Sequence, residues 1–83
     1  MIESKQQVLG DFREKAQAFL ANPSFVTGID LDDASVTLKR YVLTEMHDEQ
    51  LGSALARFQK LIRQLDVAAV SELVTEVEKR LSG

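Results

Sequence analysis

His47 is the chain's one histidine, and it stands among Glu45, Asp48 and Glu49, donor types that suit a divalent cation. Such an ion needs three or four donors converging on one point. Glu45 and Glu49 fall one helical turn apart, whereas His47 and Asp48 project elsewhere from any regular helix. The cluster therefore reads as a solvated, capping group, and no metal is expected. Asp30, Asp32 and Asp33 open like a calcium loop, but the required glycine is missing and Tyr41 occupies the place of the bidentate glutamate. Serine, histidine and carboxylates occur without a nucleophile elbow, a phosphate loop or paired zinc histidines. The absence of cysteine excludes thiolate zinc sites, cysteine nucleophiles and disulfides. A minimal chain also has little volume for the water-excluding cleft that a triad needs. The expectation is a protein without catalysis and without a cofactor.

One stretch resembles a known family. Gly28-Ile29-Asp30-Leu31-Asp32-Asp33-Ala34-Ser35-Val36 is similar to the site of acyl carrier proteins, small acidic four-helix bundles whose Asp-Ser-Leu presents a phosphopantetheine-bearing serine at the start of the second helix. The resemblance covers about nine residues and implies a carrier-like domain modified at Ser35. The chain departs from the pattern by placing Ala34 between Asp33 and Ser35, and by following with a long amphipathic third helix.

The elements that would position these residues follow from hydrophobic period. Ser4 and Gln7 fit a capping box, after which Val8, Leu9, Phe12, Ala16, Phe19 and Leu20 form one stripe, predicting a helix over 5–21. Asn22-Pro23 ends it. Residues 24–33 read as a connection whose Phe25, Val26, Ile29 and Leu31 close one end of the core, with Gly28 supplying freedom for the turn. Ala34, Leu38, Tyr41, Val42 and Met46 share a face with Leu31, predicting a helix over 31–46 capped by Asp30 or Asp32. Ser35-Val36-Thr37 and Tyr41-Val42-Leu43-Thr44 favour strands, so a β-hairpin over about 24–43, giving an α+β fold, is the alternative.

Further on, Leu51, Ala54, Leu55, Phe58, Leu61, Ile62 and Leu65 recur at three- and four-residue spacing, predicting a helix over 49–64 capped by Asp48. Val67, Val70, Val74, Val77 and Leu81 form another stripe, displaced by roughly 140° if one helix ran through both. One straight rod cannot aim both at one core. The chain is expected to turn at Asp66, which caps a last helix over 67–81, and the whole of 1–83 reads as a single-domain, all-α, small antiparallel four-helix bundle.

Charge and length bound the function. The net charge is −3, and residues 23–50 set only Lys39 and Arg40 against six acids. A nucleic-acid binder shows a clustered basic surface, so nucleic acid is not expected as the main ligand. The polar opening residues and the lack of a long apolar run give neither a signal peptide nor a membrane span, and a cytoplasmic protein is the default reading. A 45% hydrophobic fraction argues for a folded domain, yet at this length a core only just outweighs chain entropy. Val36 and Leu43 stand about 120° from the main stripe of their segment. With Phe25 and Val26, they are the candidate protein interface. The expected function is a small non-catalytic protein-binding module, a regulator, adaptor or accessory subunit, associating with itself as a homodimer.

Overall fold

The computed structural model describes residues 4–82. Helix α1 spans Lys5–Ala21 and α2 spans Phe25–Tyr41, continued by a π-helical turn over Val42–Met46. Then come α3 (Glu49–Ala56), α4 (Phe58–Arg63) and α5 (Val67–Ser82). Arg57, between α3 and α4, keeps helical dihedrals of φ −71° and ψ −21°, so these two short helices form one arm with a local tightening where Arg57 N–H donates to the Ala54 carbonyl at 3.1 Å. Four helical arms pack against one another in an all-α bundle, with no strand among the described residues. No helix among the described residues is long and apolar enough to cross a membrane.

Three of the four helix starts carry the expected caps. Gln7 N–H donates to Ser4 Oγ and Ser4 N–H to Gln7 Oε1, both at 3.2 Å. Asp48 Oδ1 accepts from Leu51 N–H at 3.0 Å, and Asp66 Oδ1 from Ala69 N–H at 3.2 Å. Each satisfies an amide that the first turn of a helix leaves without a partner.

The second arm corrects the sequence reading. Residues 24–33 are not a connection: α2 begins at Phe25, not at 31, and neither Asp30 nor Asp32 caps it. The hairpin alternative over 24–43 is overturned as well, because the same residues are helical. The cause is Ser24, whose Oγ accepts from Thr27 N–H at 3.2 Å while Thr27 Oγ1 accepts from Ser24 N–H at 3.1 Å. Threonine closes this box in place of the usual glutamate or glutamine. Once the helix nucleates there, the β-branched residues downstream are carried into it by packing. Leu31, Ala34, Leu38 and Val42 all point inward.

The core centres on Phe12 of α1 and Phe58 of α4, whose rings meet edge to face at 5.5 Å and 76°. That geometry sets the positive edge of one ring against the negative face of the other. Phe19, Leu31, Leu38, Leu51, Leu55, Val70 and Val77 close around the pair, each at most 2% exposed.

Gly28 is a helical residue and serves no turn. A Cβ on it would lie 2.8 Å from Ile62 Cγ2 and 3.6 Å from a Phe19 ring carbon, so its bareness lets α2 approach α1 and α4 closely. Gly10, also helical, has open space around it.

The two glycines should respond in opposite ways to alanine. Gly10→Ala gains about 0.5–1 kcal/mol of helix propensity without a clash, raising Tm by about 2–8 °C. Gly28→Ala should lower Tm, because the overpacking against the branched Ile62 costs about 1–3 kcal/mol and outweighs the same propensity gain. Phe58→Ala should cost about 3–5 kcal/mol in denaturant melts, and a small loss there would show that the aromatic pair is not the centre of the core.

Candidate functional site

The residues weighed in the sequence for metal or carrier chemistry are not brought together by the fold. Asp48 is occupied as a helix cap and lies 3.8 Å from Arg80. His47 is exposed, held at φ 54° where it ends the π-helical turn. Among the described residues, no three of the side chains that bind metals converge. Ser35 is 2% exposed and donates its hydroxyl to the Asp32 carbonyl at 2.8 Å, inside α2. A prosthetic group on that oxygen would require α2 to part from α3, with which it packs. Three basic residues of the third arm, Arg57, Lys60 and Arg63, are exposed, and Arg57 and Lys60 line a hollow together with Glu72 and Glu76 of α5.

What the fold does bring together is a line of apolar side chains on the outer face of α2. The four residues singled out from the sequence are all in the open: Phe25 at 80% exposure, Val26 at 68%, Val36 at 47% and Leu43 at 37%. Ile29 joins them, half exposed, between Phe25 and Val36. At 1.5 Å per residue the line from Phe25 to Leu43 runs about 27 Å, along a molecule whose longest extent is 31 Å. Leu43 is half folded down onto α3, where Gly52 makes room: a Cβ there would lie 2.6 Å from Leu43 Cδ2.

Two concavities flank this line. The larger, about 340 Å³, lies between α2 and α4, with Phe25, Ile29, Ile62 and Leu65 as apolar walls and Gly28, Asp32 and Arg63 also lining it. The shallower, about 280 Å³, is formed by Val36, Lys39, Arg40, Leu43 and Thr44. Asp32 is partly buried, and its buried Oδ1 has no hydrogen-bond partner among the described residues.

Leu65 was expected in the core stripe of the third arm and is corrected by the structure. It is 48% exposed and adopts φ 53°. Leu65 N–H donates to the Ile62 carbonyl at 3.0 Å and Asp66 N–H to the Leu61 carbonyl at 3.1 Å, the pair of bonds that ends a helix through one left-handed residue. Glycine is the usual occupant, and a leucine there costs about 1–2 kcal/mol. A leucine that neither fills the core nor eases the turn is placed to present apolar surface to the groove.

The sequence reading missed Ile29 and Leu65 as surface residues. Ile29, Val36 and Leu43 follow one another at seven-residue spacing, a signal that becomes readable only when α2 is known to begin at Phe25. Leu65 gave no signal, since its phase is that of the core stripe and only the left-handed backbone turns it outward. Comparison with protein-family models, with curated proteins and with solved structures found no match.

Replacing Leu65 by glycine tests this assignment. Relief of the left-handed strain is offset in part by the added freedom of the unfolded chain, so Leu65→Gly should leave Tm unchanged or raise it, whereas Leu31→Ala in the core should cost about 2–5 kcal/mol. A fall of many degrees in Leu65→Gly would place Leu65 back in the core.

Proposed function

We propose that this chain acts without catalysis, as a protein-binding module in the role of a regulator, adaptor or accessory subunit, and that it associates with itself in the cytoplasm. The observation that carries the reading is the uncovered apolar line Phe25, Ile29, Val36 and Leu43 on α2. Scattered exposed leucines and valines need no explanation, but a contiguous row bordered by charged residues is the composition of an interface. Burying it removes apolar area from water at about 25 cal/mol per Å², a gain of weight to a domain whose own core is thin. The burial of Ser35 favours this reading over the carrier-like one. The acids Glu72 and Glu76, lining one hollow with Arg57 and Lys60, make that surface mixed in sign, which favours this reading over an anionic polymer as ligand.

Sedimentation equilibrium checks the proposal directly. The wild type should exceed its monomer mass of 9.3 kDa, and Val36→Asp combined with Leu43→Asp should return it to that mass with helical circular dichroism unchanged. An association that survives both aspartates refutes the role of the α2 face.

A further inference from the structure

We infer that the occupant of this face is a second copy of the chain, with α2 laid antiparallel on the partner's α2 about a two-fold axis beside Val36. The inference rests on the reading of α2 as the binding face and adds its orientation and register. Ile29, Val36 and Leu43 lie seven residues apart, so they stay on one seam as a helix winds past another. Charged residues edge the middle of that seam. At 100° per residue Asp32 and Lys39 fall on one flank of Val36, and Asp33 and Arg40 fall on the other. Asp32, Val36 and Lys39 accordingly line one hollow, and Val36, Lys39, Arg40 and Leu43 another.

Within one chain these charges do not meet. Each acid precedes the base on its flank by seven residues, about 10.5 Å along the axis, and none of the four forms an ion pair among the described residues. A two-fold axis perpendicular to both helices reverses direction and keeps each flank on its own side. Asp32 then meets the partner's Lys39, Asp33 meets the partner's Arg40, Ile29 meets the partner's Leu43, and Val36 meets the partner's Val36. Every apolar residue finds an apolar one and every acid a base, four ion pairs in all counting both halves. A parallel arrangement would place acid on acid and base on base, which is repulsive. The antiparallel one also opposes the helix dipoles favourably.

Charge exchange at Asp33 and Arg40 tests the register, both residues being exposed and replaceable without disturbing the core. Asp33→Lys alone and Arg40→Glu alone should each weaken dimerisation about tenfold by turning two attractive contacts repulsive. The double variant should regain wild-type affinity for itself and pair poorly with the wild type. The chain has no cysteine, so single thiols report proximity. Under mild oxidation Ile29→Cys mixed with Leu43→Cys should give the disulfide-linked heterodimer, while Ile29→Cys alone should not cross-link, its two copies lying about 21 Å apart. A double variant that prefers the wild type, or an Ile29→Cys chain that links to itself, overturns the antiparallel register. If Val36→Asp with Leu43→Asp still abolishes association in that case, the face stands and only the register is lost. A wild type that remains monomeric at several hundred micromolar overturns the second copy as occupant.

Discussion

The edge-to-face contact between Phe12 and Phe58 is the constraint on which the other helices depend. It ties α1 to the third arm at the middle of the molecule, and the remaining helices each contribute one stripe to its surroundings. In a chain of 83 residues the interior is a single layer of side chains around these rings, so no helix can be wrapped on all sides. Something apolar must stay outside, and the packing decides which helix carries it.

That helix is α2. Its inward stripe of Leu31, Ala34, Leu38 and Val42 is buried to within a few per cent, and Gly28 lets it settle close against Ile62 and Phe19. Its outward side nonetheless holds Phe25, Ile29 and Val36, residues that gain nothing from water. The π-helical turn at its end adds Leu43, which rests on Gly52 with part of its side chain still in solvent. The same helix is thus core on one side and exposed apolar surface on the other, the side proposed as the interface. Leu65, in a strained conformation at the edge of the neighbouring groove, extends the apolar surface to the third arm.

The distribution of charge fits this division. Elsewhere a few charges are answered within the bundle: Arg13 reaches Glu78, and Arg80 reaches Asp48 and Gln50. Around Val36 the acids and bases are offset by two helical turns and form no ion pair among the described residues, an arrangement that the reversed copy proposed above would answer. Exposed ion pairs contribute little energy individually. In the proposed dimer their value is in selecting direction and register, while the apolar seam provides the affinity.

The amino-acid sequence by itself determined the number of arms, the extents of the first and last, the caps at Ser4, Asp48 and Asp66, and the reversal before Val67, because those features follow from local hydrogen bonding and from a 3.6-residue hydrophobic period. It also set Val36 and Leu43 about 120° from the main stripe of their segment, but its pattern reads Phe25 and Val26 as loop residues closing the core, whereas they stand exposed on α2. Only the structure showed that α2 begins at Phe25: the Ser24–Thr27 box starts it locally, and the burial of Leu31, Ala34 and Leu38 then holds the strand-favouring residues between and beyond them in a helix. Only packing showed that Gly28 is a point of close approach instead of a turn, and only the left-handed backbone at residue 65 moved a leucine of core phase to the surface. Period records which residues can share a face; which neighbour covers that face is set by contacts between residues far apart in the chain.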